Sequence, residues 1–170
     1  MIAIIVATAK NNVIGAYGDM PWRGKLPADL KHFAKQTSGQ AVIMGRVTYE
    51  SIPAKYRPLK GRINIIISAT KDFSGEGCVM AKSLGEALDY ANSMRQNAFI
   101  AGGGGIYREA LNGNYKISKI YRTLIDVEVD GDVFFPELGK SWRLIEESCH
   151  EPDDRNKYGY CFQVYERARL

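Results

Sequence analysis

The chain has 170 residues, 45% of them hydrophobic and 25% charged, with a net charge of +4; that length suits one domain, residues 1–170, around a single core. The charge is too slight and scattered to point to nucleic acid, and no stretch is apolar over the roughly 18 residues that a membrane helix needs. No signal peptide is evident, and a cytoplasmic location is expected. Cys78, Cys149 and Cys161 form no C-x-x-C pair, and their odd number favours free thiols in a reducing compartment. Cys149 and Cys161 could nevertheless face each other on neighbouring strands. His32 and His150 stand far apart without clustered ligands, so no metal is expected.

Ile2 to Thr8 is a continuous, β-branched apolar run, as in a strand buried on both faces. A loop from Lys10 to Lys25 follows, with three glycines and a Met20-Pro21-Trp22 corner. Pro27 sits where a helix can begin, and Leu30, Phe33 and Ala34 recur at helical spacing toward an end near Gly39. Asp29, just before Leu30, lies at the edge of that apolar face in the first turn. Ala41 to Met44 is a second apolar run leading through Gly45 into a helix start at Arg46. Ile63 to Ser68 reads as a third strand.

Ser83-Leu84-Gly85-Glu86 has capping-box spacing and opens a helix with Leu84, Ala87, Leu88 and Ala91 inward. Ala98 to Ala101 is a buried strand, followed by Gly102-Gly103-Gly104-Gly105 and a helical segment from Ile106 to Leu111. Ile117 to Val127 is a long strand. Two extended segments, Arg143 to Cys149 and Tyr158 to Arg167, flank a polar turn at Pro152 to Lys157 and should pair antiparallel. The pattern predicts an α/β fold: a central, mainly parallel mixed sheet with flanking helices and a C-terminal antiparallel hairpin.

Ligands of open α/β sheets bind beyond the C-terminal ends of the strands. Thr8 to Met20, Gly45 to Thr48 and Gly102 to Gly105 all fall there. Glycine-led helix starts allow close approach of a phosphate to unpaired N–H groups, and Arg46 and Thr48 add donors. Taken singly, each signal has a plainer reading: a glycine run is a turn, Asp29 suits the helix dipole, and Trp22, Phe33 and Tyr107 are core aromatics. The residues alone lead to a nucleotide-binding α/β domain.

Several motifs in order make the resemblance specific: Val13-Ile14-Gly15, Met20-Pro21-Trp22, Leu26-Pro27-Ala28-Asp29, Val42-Ile43-Met44-Gly45-Arg46-x-Thr48-Tyr49-Glu50-Ser51-Ile52, Gly102-Gly103-Gly104-x-Ile106-Tyr107, and Gly131-Asp132 before Phe135-Pro136. Over essentially its whole length the sequence resembles dihydrofolate reductases of the bacterial type. The resemblance implies an oxidoreductase passing a hydride from NADPH to 7,8-dihydrofolate, and a target for antifolate inhibitors. It implies a catalytic group of Asp29, Trp22 and Thr123, with Asp29 orienting the pterin and assisting protonation. Ile5, Val6, Ala7, Leu30, Phe33, Ile52, Leu59 and Tyr107 would line the substrate, and Arg62 would clamp its glutamate carboxylate. The cofactor would lie along Ala7, Ile14, Gly15, Met20, Gly45, Arg46, Val47, Thr48, Ser68, Ala69, Lys82, Ala101, Gly102, Gly103, Gly104, Gly105, Ile106 and Tyr107. A cis peptide is expected at Gly102-Gly103, and the Ala9–Lys25 loop would act as a lid. The expected state is a monomer.

The sequence also departs from the pattern. Arg23-Gly24-Lys25 lengthens the lid by two residues relative to the shortest members. Val47, Ala69 and Gly105 each lack a phosphate donor, which leaves Arg46, with Lys82, to distinguish NADPH from NADH. A reductase of a ribosylaminopyrimidine would share the fold and cofactor but has no evident use for Asp29, Trp22 and Arg62.

Overall fold

The computed structural model describes residues 1–70 and 73–168. In chain order the elements are β1 (Ile2–Ala9), β2 (Val13–Gly15), α1 (Pro27–Thr37), β3 (Ala41–Gly45), α2 (Arg46–Ser51), β4 (Ile63–Ile67), β5 (Cys78–Ala81), α3 (Leu84–Ser93), β6 (Ala98–Ile100), α4 (Gly104–Asn112), β7 (Ile117–Ile125), β8 (Val133–Phe134), β9 (Trp142–His150) and β10 (Tyr160–Arg167). Eight strands form one sheet in the order β5-β4-β3-β6-β1-β7-β10-β9, and β2 and β8 pair separately. From β5 to β7 every pairing is parallel, whereas β10 runs antiparallel to both β7 and β9. The α/β class, the mainly parallel sheet and the C-terminal hairpin are as the sequence predicts.

The sheet's two-residue period divides the core. Ile4, Val6, Ile43, Ile65, Ile67 and Ile100 pack with residues of α3 and α4 on one face. Ala3, Ile5, Val42, Met44, Ile66 and Phe99 face the other way, beside Phe33 of α1 and Tyr49 of α2. Period two therefore settles which side chains can reach a ligand lying against α1.

Local signals set most boundaries. Pro27 opens α1 as expected, but the helix stops at Thr37, whose hydroxyl donates back to Phe33 O at 2.8 Å. Gly39, with φ of +73°, then turns the chain. Ser83 caps α3, its Oγ accepting from Glu86 N at 3.2 Å. α4 begins at Gly104, two residues before Ile106. A Cβ on Gly104 would stand 2.6 Å from Val133 Cγ1, so only glycine lets the helix start so close to β8.

The cysteine expectation is overturned. Cys149 and Cys161 form a disulfide, and Cys78 alone is free. They are directly opposite each other in the β9–β10 register, with Cα atoms 4.0 Å apart. Composition and thiol count carry no information about that register, which is why they favoured free thiols.

Candidate active site

The site is built at the first turn of α1. Leu26 precedes the helix and supplies no side-chain cap, and Pro27 has no N–H to satisfy. Asp29, two residues on, is buried and points toward β7, where its carboxylate meets the Thr123 hydroxyl. Thr123 is itself buried, with Ala7 of β1 and Phe162 of β10 beside it in register. Burial pushes the Asp29 carboxyl up to about 6, and the Thr123 hydrogen bond, which favours the ionised form, opposes the rise.

One turn of α1 beyond this acid, Phe33 stands among apolar groups. Phe33 bridges two clusters, one with Ile52 and Leu59 and one with Ile5, and Ala101 touches both. Leu30, on the apolar face that the helical spacing predicts, is instead 56% exposed. Ala7 and Met20 both pack against the cluster that contains Trp22. Val6 is corrected from the sequence reading: it packs on the α3 and α4 face, so only its main chain is available toward α1. Tyr107 also packs on that opposite face, and its hydroxyl donates to Ile5 O at 2.7 Å. Burial, and secondarily the charge of Asp29, raise the Tyr107 phenol far above its ordinary range.

Trp22 is buried, and its indole Nε1–H is, among the described residues, a buried side-chain donor without a protein partner. Such a group costs about 1–3 kcal/mol unless something binds it. Arg62, just before β4, reaches the C-terminal part of α1. Its Nε donates to Thr37 Oγ1 at 3.1 Å and its terminal nitrogens reach Lys60 O and Ala34 O. Three neutral oxygens thus fix the guanidinium without neutralising it, and burial lowers its pKa.

The segments named for the cofactor follow β1, β3, β4, β5 and β6, parallel strands that are neighbours in the sheet. Their C-terminal ends therefore share one edge. Gly45 N donates to Gly102 O at 2.9 Å, and a Cβ on Gly103 would come within 3.0 Å of Thr48 Oγ1. The Gly102-Gly103 peptide is cis, as the resemblance implied. Gly103 leaves the first N–H groups of α4 without a side-chain cap, and Gly105 opens onto free space. Ile14 approaches Gly104 from the lid side, and Ile106 lies beside Gly45. Ser68 is buried, while Val47, Ala69 and Lys82 are exposed. Arg46 Nη1 is paired with Glu50 Oε2 at 2.5 Å.

The Ala9–Lys25 loop is tied near its middle to the segment around β8. Gly15 pairs with Val133, Asp132 N donates to Gly15 O at 3.1 Å, and Tyr17 N donates to Asp132 Oδ1 at 3.2 Å. The Arg23-Gly24-Lys25 extension folds as consecutive turns, with Arg23 N bonded to Met20 O and Lys25 N to Trp22 O.

Three contributors escaped the sequence reading. Asn156 sits in the β9–β10 turn, which read only as a polar connection. Phe162 stacks on His32 with ring centroids 3.9 Å apart, a pairing that helix periodicity cannot supply. Glu50 lies four residues after Arg46 on one helix face, an ion-pair spacing that could have been read.

A parallel α/β sheet ending in glycine-led turns beside a buried carboxylate is the arrangement of a nucleotide-dependent oxidoreductase. A family model described as dihydrofolate reductase matches residues 1–167. The chain is 41% identical to "Dihydrofolate reductase type 3" of Salmonella typhimurium, over 99% of each chain. It is 38% identical to the dihydrofolate reductase of Bacillus subtilis (strain 168), over 98% of this chain and 95% of that one. A solved structure of dihydrofolate reductase from Enterococcus faecalis, complexed with NADP(H) and RAB-propyl, superposes with a TM-score of 0.89 at 32% identity, covering 99% of this chain and 97% of that one. The chain belongs to the dihydrofolate reductase family.

Proposed function

We propose that this chain is a monomeric, single-domain reductase of the cytoplasm that converts 7,8-dihydrofolate to 5,6,7,8-tetrahydrofolate with NADPH, and that Asp29 holds the pterin. The observation carrying this reading is the buried Asp29 carboxylate, bonded to Thr123 one helical turn before the Phe33 cluster. Two carboxylate oxygens can accept a ring N–H and an exocyclic amino group together, a fit that fixes orientation as well as affinity. With its pKa near 6, Asp29 keeps a proton available close to neutrality and assists protonation of the ring. The unpartnered indole N–H of Trp22 provides a fixed donor for a polar atom or ordered water beside the pterin. Phe33, Ile52 and Leu59 line the benzoyl portion, and Arg62 receives the glutamate carboxylate.

The cradle of Gly45, Gly102, Gly103 and Thr48, with uncapped N–H groups at the start of α4, fits a pyrophosphate. When bound, NADPH supplies the hydride. Ala7, Ile14, Met20 and Gly15 would border its nicotinamide end, and closure of the lid would exclude water there. Arg46 would meet the 2′-phosphate, with Ser68, Ala69 and Lys82 nearby. The test is direct: mixing protein, NADPH and dihydrofolate should remove the cofactor's near-ultraviolet absorbance. No loss of absorbance with folded protein would refute the activity.

A further inference from the structure

Asp29 stands in the first turn of a helix whose own flank provides no side-chain cap. The missing acceptor comes from a distant part of the chain: Asn156 Oδ1 accepts from Ala28 N at 2.9 Å. Asn156 is only 6% exposed and is itself fixed by Asp153, whose Oδ1 accepts from Asn156 N at 2.7 Å and from Asn156 Nδ2 at 3.0 Å. One residue on, Lys157 N donates to Lys25 O at 2.8 Å, which ties the same turn to the chain entering α1. The Cys149–Cys161 bridge closes the hairpin that carries Asp153, Asn156 and Lys157. Just past it, Phe162 stacks on His32, three residues after Asp29.

We infer that Asn156 is a positioning residue for Asp29, and that the Cys149–Cys161 bridge holds the hairpin that presents it. This rests on the reading of Asp29 as the group that meets the substrate. Asn156 acts through the main chain: it fixes the backbone amide next to the acid and thereby the angle at which the carboxylate is presented. The charged and titratable groups coupled to this region include Tyr107 of α4, which the charge of Asp29 reaches from the other face of the sheet, His32 and Lys35 on α1, and Asp153, Arg155 and Tyr160 of the hairpin. None of them replaces the lost acceptor for Ala28 N.

The experiment compares the parent with Asn156→Ala, with a Cys149→Ser/Cys161→Ser double variant, and with parent reduced by dithiothreitol. In the last case the S–S bond is broken, two protein thiols form and the reagent closes to its cyclic disulfide. Removing the cap should speed amide exchange at Ala28 and Asp29 about tenfold, while amides of β1 and β6 stay protected. The midpoint of the kcat/KM–pH profile should fall as Asp29 becomes more hydrated, and KM for dihydrofolate should rise about threefold to tenfold. The bridge-free and reduced proteins should move in the same direction, and they carry the test if Asn156→Ala does not fold. A lower Tm with an unmoved pH midpoint and unchanged Ala28 exchange would make Asn156 merely structural and overturn the inference. Asp29→Asn separates the two claims. If that variant is fully active, the reading of Asp29 fails; if it is inactive while the Asn156 and cysteine variants keep the parental profile, only the present inference fails.

Discussion

Keeping Asp29 ionised is unfavourable for folding, and the size of that effect can be worked out. A pKa of about 6 in place of the ordinary 3.8 means that folded protein holds the proton roughly two units more tightly than unfolded chain. At about 1.36 kcal/mol per unit, this is about 3 kcal/mol. The sign follows from proton counting. Between roughly pH 4 and pH 6 the folded state binds more protons than the unfolded state, so stability declines as pH rises, and the deficit is complete above about pH 6. Asp29→Asn removes the charge while its amide oxygen can still accept from Thr123. The variant should therefore be more stable than the parent at pH 7 by about 2–3 kcal/mol, or several degrees in Tm for a chain of this size. The advantage should shrink toward pH 4, where both side chains are neutral in folded protein. Urea unfolding at pH 5, 6, 7 and 8, read by midpoint and slope, measures it. The same variant should lose about 10²–10⁴ in turnover if the carboxyl assists protonation. A variant no more stable than the parent at pH 7, or a difference independent of pH, would refute the burial argument.

Arg46→Ala should raise KM for NADPH about tenfold to a hundredfold and leave KM for NADH nearly unchanged, as for a charge-assisted phosphate contact. Glu50→Gln, which frees the Arg46 guanidinium, should lower KM for NADPH about twofold to fivefold; equal effects on both cofactors would disprove the assignment. Removing the disulfide, whose cysteines are 12 residues apart, should cost about 3 kcal/mol in equilibrium unfolding on the chain-entropy account, and a loss below about 1 kcal/mol would show that the reduced hairpin is already ordered. Trp22→Phe should reduce kcat/KM at least about tenfold while changing stability by only about 1 kcal/mol, because the deleted N–H has no protein partner; unchanged kinetics would remove Trp22 from the catalytic group.

What the sequence revealed, and what it hid, follow one physical division. Pro27, the 3.6-residue spacing of Leu30 and Phe33, the Ser83 cap and the β-branched runs are local signals, and they located α1, α3 and the buried strands. The glycine turns were legible for the same reason, since close backbone approach requires the absence of Cβ wherever it occurs. The resemblance, by contrast, implies a pocket role for Val6, whereas strand alternation sends its side chain to the face opposite Ile5 and Ala7. The Cys149–Cys161 pairing and the cap on Ala28 depend on register between segments far apart in sequence. Such contacts leave no periodicity: Asn156 reads as one more polar residue in a turn, although it supplies the acceptor missing from the site helix. The most local part of the site, the acid on its helix, is thus held by its least local contact. α1 borrows its cap from the hairpin that ends in β10, the strand paired with β7 and with Thr123. Asp29 therefore reaches its buried, proton-retaining state as a property of the completed sheet rather than of the helix that carries it.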